Sequence, residues 1–516
     1  EHSLHQHPEP PIQTMGADYF TYIFVLGLIQ SFWDSFGIGA NDVANSFSTA
    51  VASKTLKLWQ ACAIASVTEF LGAFLLGAHV TDTIKNKVVQ PSDYADNPST
   101  LMLGMLCSLY GSSICVIGAS KLGLPVSTTH ATVGAIIGFG IAAHGGDSIN
   151  WAYSNKGVWF IVAGWVYAPL IAGVCAATVF LLLKYCLFKR EDPYKWTILS
   201  IPFIFALTAA IETLFIVWKG SPRLNLDDQE PWKIAVECIS IGLAAGAFGI
   251  IFFVPWANRK VKGKEPLRSY EMFYHWCIPE RAPIEEVDAE ADVADEEMKA
   301  NMEDGPKKRT FFGSVKNQLG KGVNAEVADY KADDEQIKEM HDLAEKFDQD
   351  AEELFRFLQV MTSSLASFAH GANDVANAIG PLSTIYYIWQ NAEIPPKKVE
   401  VELWILAYGG IGIDVGLILY GYKIMRALGN QITYHSPSRG FSMEIGATLS
   451  VMIASKTGIP VSTTQCITGA TLFVGLCNGN LKTLGWKRLA ITAFGWILTL
   501  PIAGLISGLV FAFAAY

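Results

Sequence analysis

Charged side chains are scarce over most of this 516-residue chain. The segment from Asn258 to Arg356 holds 41 of the 86 Asp, Glu, Lys and Arg residues, and the other 417 residues share the remaining 45. This segment has a net charge of −9, against −10 for the whole chain, so the rest of the protein is nearly neutral. A nucleic-acid-binding protein would show a basic face. The distribution of charge therefore excludes nucleic acid as an expected partner.

Signatures of enzymes and of secreted disulfide frameworks are missing as well. The sequence has no Walker A loop, no GxSxG and no HExxH motif. Its nine cysteines are an odd number without CxxC spacing, and most lie in apolar runs as small packing residues. We therefore expect neither an enzyme nor a resident cofactor, and any transport must be driven by an ion gradient.

Long apolar runs occupy most of the chain. About 20 apolar residues are enough to cross a bilayer as a helix. Ten such runs are ordinary in composition: 19–37, 58–80, 101–120, 158–183, 197–218, 233–256, 354–369, 403–425, 441–454 and 491–514. Two more, Gly123–Ala143 and Gly458–Cys477, begin with Gly-x-Pro and are crowded with Ser, Thr and Gly. Such an interrupted pair indicates a transporter's binding site, the alternative being two ordinary spans that begin with proline.

The charged segment is predicted to lie in the cytoplasm. Basic residues cluster at 184–195 and again at 259–268, and two crossings separate these clusters, so both lie on the same side of the membrane. We expect disorder in the acidic stretch 287–304. Apolar residues at helical spacing from Ile337 to Leu354 predict a short amphipathic helix that leads into the next span.

Two motifs each occur twice, which indicates a duplicated unit. Gly39–Asn45 (GANDVAN) recurs unchanged as Gly371–Asn377, at an offset of 332 residues. Ala119–Ala135 recurs as Ala454–Ala470 at an offset of 335, with 11 of 17 residues identical. Duplicated halves with broken helices are typical of secondary transporters, whose site lies between the halves. The number of crossings does not decide whether the halves are inverted.

The duplicated GANDVAN motif predicts a cation site. Placing an ionised aspartate inside a span costs roughly several kcal/mol of free energy unless the carboxylate is paired or hydrated. No Lys or Arg lies within a helical turn of either aspartate. Carboxylate, amide and backbone oxygens suit a small hard cation such as sodium. The alternative is a buried helix cap. The candidate ligands are Asn41, Asp42, Asn45, Asn373, Asp374 and Asn377.

The duplicated PVSTT motif, Pro125–Thr129 and Pro460–Thr464, predicts an anion site. Hydroxyl groups just after a helix-starting proline lie among unpaired backbone N–H groups, which together can hold a tetrahedral oxyanion. The alternative is that the hydroxyls bond to carbonyl groups in a kinked span. The candidate contacts are Ser127, Thr128, Thr129, Ser462, Thr463 and Thr464, with His130 and Gln465 following them in the pocket.

The two motifs together predict coupling between cation and anion. Aspartates beside an oxyanion repel it unless cations bind first, and this requirement links the two ligands thermodynamically. Glu69 and Glu444 also lie in apolar runs. Each is a candidate to complete a cation site or to accept a proton, the alternative being a hydrogen-bonded packing carboxyl.

These motifs resemble the inorganic phosphate transporter (PiT) family, most closely its fungal sodium/phosphate symporters. The resemblance rests on GANDVANSF, GANDVANAIGPL, the paired PVSTT segments and SPSRGFSMEIG at Ser436–Gly446, and it covers both apolar halves. It implies an all-α membrane protein of about twelve transmembrane helices, with two inverted repeats, broken helices and helical hairpins. The expected division is a first repeat at 18–183, connecting helices at 184–257, a charged cytoplasmic loop at 258–352 and a second repeat at 353–516.

The resemblance also implies a function. We expect a sodium-coupled symporter of inorganic phosphate that works by alternating access in the plasma membrane, as a multi-pass homodimer with sodium as co-substrate. It assigns the asparagines and aspartates of GANDVAN to sodium, the PVSTT hydroxyls to phosphate, and Glu69 and Glu444 to acidic positions needed for transport. Two alternatives remain: proton coupling through Glu69 or Glu444, and a non-transporting phosphate sensor whose loop signals.

Overall fold

The computed structural model describes residues 20–77, 88–152, 157–219, 229–283, 335–396, 401–429, 431–457 and 461–515. Within these ranges the regular structure is helical, apart from a single β-bridge between Val89 and Ile149. The acidic stretch 287–304, for which we expect disorder, lies outside the described residues.

Fourteen α-helices of eight or more residues, counted over the described ranges, form the framework. They are α1 Thr21–Asn41, α2 Val43–Ala52, α3 Leu58–Leu76, α4 Pro98–Lys121, α5 Thr128–His144, α6 Val158–Leu183, α7 Pro193–Lys219, α8 Pro231–Phe248, α9 Glu335–Asp342, α10 Gln349–Asn391, α11 Leu403–Leu428, α12 Pro437–Thr457, α13 Thr463–Leu476 and α14 Trp486–Ala515. The helix α8 continues through π-helical turns to Lys262.

The chain is a multi-pass membrane protein. Eight described segments are long and apolar enough to span a bilayer: Thr21–Ala52, Leu58–Leu76, Pro98–Lys121, Val158–Phe188, Pro193–Val217, Pro231–Lys262, Leu403–Leu428 and Trp486–Ala515. Their outer faces carry large exposed apolar side chains such as Phe203, Leu243 and Phe513, which suit contact with lipid. The other four predicted spans correspond to α5, α10, α12 and α13, and α5 and α13 have only 17 and 14 residues.

The two copies of GANDVAN differ in local structure. In the first copy a turn at Asp42 separates α1 from α2. In the second copy α10 runs without a break for 43 residues, past the motif and past Pro381. The two copies also run in opposite directions, because Trp389 near the end of α10 donates to Thr21 at the start of α1 over 3.2 Å.

We call the end of the bundle where α10 begins the loop side, and the end where it finishes the far side. Ser53, just after α2, donates to Gln359 in the first part of α10 over 2.8 Å. The chain of α1 and α2 therefore runs from the far side to the loop side, and α10 runs back.

Helices of the two halves pack against each other in matching pairs. The helix α5 packs on α14 while α13 packs on α6, and α4 packs on α14 while α12 packs on α6. The helix α1 packs on α11 while α3 packs on α10. The core is therefore shared between the halves, and neither half buries its helices alone.

Two glycines of the duplicated motif allow helices to approach at backbone distance. A Cβ atom on Gly39 would lie 1.8 Å from the carbonyl oxygen of Ile413, and one on Gly371 would lie 2.2 Å from that of Glu69. Real Cβ atoms do not approach a backbone oxygen so closely, so both crossings require glycine. These crossings bring the neighbouring Asp42 and Asp374 into the centre of the bundle.

The predicted amphipathic helix ahead of the second half is only partly correct. The helix α9 ends at Asp342, and the chain is not helical again until α10 begins. The carboxylate of Asp348 accepts a hydrogen bond from the backbone N–H of Ala351 over 2.9 Å, which caps α10 and starts a new helix there. The intervening segment lies against the bundle, where Glu345 pairs with Lys184 at 2.6 Å.

Candidate functional site

The PVSTT segments begin the two short helices α5 and α13. The hydroxyl of Ser127 accepts a hydrogen bond from the backbone N–H of His130 at 3.2 Å, and that of Ser462 accepts from Gln465 at 3.4 Å. Each serine is thus the N-cap of its helix. The threonines that follow lie in the first turn, and both first turns point into the centre of the bundle.

Asp42 receives hydrogen bonds from both copies of PVSTT. Thr128 donates to Asp42 Oδ2 over 2.5 Å, and Thr464 donates to Asp42 Oδ1 over 2.8 Å. Asn45 donates to the same Thr464 hydroxyl over 2.6 Å. Asp42 is only 1% exposed, so its interactions are with protein rather than solvent. The structure therefore brings residues of both motifs together at this carboxylate.

The second copy of GANDVAN completes this arrangement from the opposite side. Thr463 donates to Asp374 Oδ2 over 3.1 Å. Asn377 Nδ2 donates to the hydroxyls of Thr128 and Thr129 over 3.2 and 3.3 Å. Each motif of one half thus contacts motifs of the other, as expected for a site between duplicated halves.

The motif asparagines differ in their surroundings. Asn41 donates to the Ser120 hydroxyl and the Leu124 carbonyl, both at 3.0 Å, and accepts from the backbone N–H of Val126 at 3.0 Å. These three hydrogen bonds of the Asn41 amide hold the turn between α4 and α5, so Asn41 positions the PVSTT segment. Asn373, its counterpart on α10, is half-buried.

His370 is a member of the site that the sequence prediction missed. Its Nδ1 lies 2.8 Å from Glu69 Oε2 and its Nε2 lies 2.9 Å from Asp374 Oδ2. Ser367 also donates to Glu69, over 2.8 Å. All of these side chains are buried. His370 therefore links Glu69 of α3 to the aspartate of the second GANDVAN motif.

Asp42, His370 and Asp374 form a group that can hold a metal ion. One ligand atom from each residue lies within 4.8 Å of the other two. Two negative charges at that separation repel by about 3 kcal/mol at an effective dielectric constant of 20. Ionised Asp42 and Asp374 therefore need a positive charge between them. We call these three residues, with Thr128, Thr129, Thr463 and Thr464, the central site.

Glu444 lies one step away from the central site, toward the loop side. It is fully buried and accepts hydrogen bonds from Thr49, Thr362 and Ser363. A cavity of about 30 Å³ separates Glu444 from His370 and is also lined by Asn45, Ser46 and Thr463. This volume holds a water molecule or a small ion. Glu444 is thus connected to the central site without touching it.

Polar groups continue from Glu444 to the loop side. Gln359 is fully buried, and its Oε1 accepts hydrogen bonds from Ser53 at 2.8 Å and Thr55 at 2.5 Å. Beyond it a cavity of about 870 Å³ opens at the loop side, with Ser53, Lys54 and Glu352 in its wall. Gln359 thus lies between the small inner cavity and a wide outer one.

The two residues that follow the PVSTT motifs are buried but unbonded. The ring nitrogens of His130 have no hydrogen-bond partner among the described residues, and its ring lies 4.7 Å from that of Trp165. The amide atoms of Gln465 likewise lack a partner within the described ranges. Neither side chain joins the carboxylates of the central site in this conformation.

Carboxylates and hydroxyls from two halves of a helical bundle, buried together at its centre, are typical of the binding site of a membrane transporter. The chain belongs to the phosphate transporter family, whose model matches residues 38–507.

Individual relatives agree with this membership. The chain is 37% identical to the phosphate-repressible phosphate permease pho-4 of Neurospora crassa, with 96% of this chain and 97% of the permease covered. It is 29% identical to human sodium-dependent phosphate transporter 2, with 97% and 99% covered. A solved structure titled "The sodium-dependent phosphate transporter" matches with a TM-score of 0.70 and 29% identity, covering 96% of this chain and 99% of that one.

Proposed function

We propose that this protein is a sodium-coupled symporter of inorganic phosphate that works by alternating access, with sodium as co-substrate. The observation that carries the proposal is the pair of hydrogen bonds that Asp42 accepts from Thr128 and Thr464. They join the expected cation carboxylate to the expected anion hydroxyls of both halves. Two of the three relatives named above are titled sodium-dependent phosphate transporters, which supports the choice of ion and substrate.

The hydrogen bonds suggest how sodium prepares the phosphate site. In this conformation the hydroxyls of Thr128, Thr464 and Thr463 donate to Asp42 and Asp374. A sodium ion between the carboxylates draws their oxygens to itself and releases these hydroxyls. The released hydroxyls, with the amide N–H groups at the starts of α5 and α13, then donate to phosphate. Sodium binding thereby favours phosphate binding, and phosphate favours sodium equally.

The described packing supports inverted repeats as the device for alternating access. The copies of GANDVAN run antiparallel, and helices of the two halves exchange partners in matching pairs. We take 18–183 and 353–516 as the repeats, 184–257 as connecting helices and 258–352 as a cytoplasmic loop. The helices α4 with α5, and α12 with α13, form the hairpins, and the broken spans bring the expected total to about twelve. We place the protein in the plasma membrane as a homodimer.

Glu69 and Glu444 have separate tasks in this proposal. Glu69 holds His370 against Asp374 and so sets the charge of the central site. Glu444 lies on the way to the loop side and receives an ion that leaves the central site through the small cavity. His130 and Gln465, whose side-chain polar atoms have no hydrogen-bond partner among the described residues, contact phosphate when the site closes around it.

Uptake of labelled phosphate into proteoliposomes tests the proposal. An inward sodium gradient at equal pH on both sides is expected to drive accumulation that collapses when an ionophore dissipates the gradient. A proton gradient without sodium is expected to drive none. Uptake that follows the proton gradient alone contradicts sodium coupling.

Proton coupling remains a second candidate because of His370. A histidine held between Glu69 and Asp374 can supply the positive charge that the two central aspartates require, in place of sodium. The sensor alternative has no comparable support and predicts phosphate binding without flux in the same liposomes. Equilibrium phosphate binding with no uptake under either gradient would favour it.

Substitution of the central threonines tests the anion site. Thr128→Val and Thr464→Val keep the side-chain shape but remove a donor, and a hydrogen bond to a charged group contributes about 1.5–3 kcal/mol. We expect the apparent Km for phosphate to rise about tenfold or more in each variant. Thr471→Val is the control, because among the described residues the Thr471 hydroxyl bonds only within α13 and to Met443. An unchanged Km in both test variants places the anion elsewhere.

A further inference from the structure

The helix α1 carries a second buried carboxylate, Asp34, which neither sequence motif contains. Asp34 is 1% exposed, and neither of its oxygens has a hydrogen-bond partner among the described residues. The described part of the chain also provides it with no ion pair. A buried carboxylate with no partner is costly, so a ligand that supplies positive charge is required if it is ionised.

Polar side chains surround Asp34 and extend to the central site. The stripe of α1 that faces α4 starts with Gln30, which donates to Ser113, and ends with Asn41, which donates to Ser120. Between them Asp34 lies beside Ser112, whose hydroxyl is near the carboxylate without meeting hydrogen-bond geometry. The Ser112 hydroxyl lies 3.3 Å from that of Thr132 on α5.

Thr132 follows Thr128 by one helical turn, so both lie on the same face of α5. Thr128 in turn donates to Asp42. Oxygen-bearing side chains therefore follow one another from Asp34 through Ser112, Thr132 and Thr128 to the central site. Carboxylate and hydroxyl oxygens of this kind suit a small monovalent cation.

The position of Asp34 along α1 gives the direction of this series. Asp34 precedes Asp42 by eight residues, which is about 12 Å of helix. Because α1 starts beside the end of α10, Asp34 lies on the far side of the central site, whereas Glu444 and Gln359 lie on the loop side.

The internal repeat relates Asp34 to the small cavity of the second half. By the GANDVAN offset of 332 residues, Asp34 corresponds to Ala366 in the second half. Ala366 lines the cavity that Glu444 and His370 also line. By the PVSTT offset of 335 residues, Glu444 corresponds to Leu109 in the first half. Each half thus has one buried carboxylate at this location, from α1 in the first half and from α12 in the second.

We propose that Asp34, with the hydroxyls of Ser112 and Thr132, is a further sodium site on the far side of the central site. A sodium ion entering from the far side binds here first and then moves along α5 to Asp42. This inference rests on the proposed sodium coupling. It adds a site that none of the duplicated motifs predicts.

Direct sodium binding tests the inference independently of transport. Labelled sodium binding to the purified, detergent-solubilised protein is expected to fall by one ion per chain in Asp34→Asn. Ser112→Ala, which keeps the carboxylate, is expected to weaken the same ion at least threefold. Ser108→Ala is the matched control on α4, because within the described ranges the Ser108 hydroxyl bonds only to the Met105 carbonyl. Unchanged stoichiometry and affinity in Asp34→Asn overturn the proposal.

Uptake measurements separate this inference from the proposed function. In sodium-driven liposomes, Asp34→Asn is expected to raise the half-saturating sodium concentration at least fivefold and to lower the Hill coefficient for sodium. If the parent protein shows no sodium-driven uptake, the proposed function fails while the binding assay still decides on Asp34. A variant that loses only a dependence on pH shows that Asp34 takes a proton, which overturns the sodium site.

Discussion

His370→Leu is expected to lower the initial rate of sodium-driven phosphate uptake at least 100-fold. The leucine fills similar space but removes the groups that lie 2.8 Å from Glu69 and 2.9 Å from Asp374. Breaking a buried charged pair by removing one partner costs about 3–5 kcal/mol, and 2.7 kcal/mol already corresponds to a factor of about 100. The measurement is uptake in liposomes, normalised to the amount of folded protein.

Two further variants make the result for His370→Leu interpretable. His370→Gln keeps an amide that can reach one of the two carboxylates, so it is expected to retain more activity than leucine. His144→Leu is the matched control, because His144 ends α5 and contacts the ring of Tyr94 rather than the central site. Full activity of His370→Leu with unaltered sodium dependence removes His370 from the transport cycle.

Gly371→Ala and Gly39→Ala are expected to prevent correct assembly of the bundle. The added Cβ atoms would lie 2.2 Å from the Glu69 carbonyl oxygen and 1.8 Å from that of Ile413, and a backbone atom cannot rotate away. Overpacking against side chains costs about 1–3 kcal/mol, so these two clashes with backbone should cost at least that much. Thermal unfolding of detergent-solubilised protein and its elution as a single species measure the effect.

Gly118→Ala is the control for this pair, because a Cβ atom there has no atom within 4 Å. Alanine is a better helix former than glycine by about 1 kcal/mol, so this variant is expected to match or exceed the stability of the parent. If Gly371→Ala unfolds at the same temperature as Gly118→Ala, helices α3 and α10 do not cross at backbone distance.

The sequence predicted the helical membrane class and the convergence of its repeated motifs because both are encoded by local pattern. Apolar runs of spanning length need no knowledge of tertiary contacts. The identical copies of GANDVAN and PVSTT marked the aspartates and threonines that the structure brings together at Asp42. Two copies of a polar motif in an apolar chain have few uses other than a shared site.

Two ionisable residues that the sequence analysis missed have no polar counterpart in the other half. His370 stands where the first copy has Ile38, and Asp34 stands where the second has Ala366, both at the offset of 332 residues. A search for repeated residues passes over such positions. The available signal was a histidine and an aspartate that occur in one half only. The packing alone shows that His370 lies between Glu69 and Asp374 and that Asp34 has no ion pair among the described residues.

The roles of single hydroxyls also depended on geometry. Ser127 and Ser462 were predicted as phosphate contacts, and in the structure their hydroxyls cap α5 and α13. The start of α10 at Asp348 likewise follows from one side-chain hydrogen bond. Spacing cannot distinguish a hydroxyl that caps a helix from one that faces a ligand, because both occupy the same first turn.

The unbroken course of α10 has a consequence for motion. One continuous helix carries Gln359 near the loop side, His370 and Asp374 at the centre, and Trp389 near the far side. A tilt of that helix about its middle moves its two ends in opposite directions at the same time. Opening one side of the transporter and closing the other would then be a single motion, with Asp374 at its pivot.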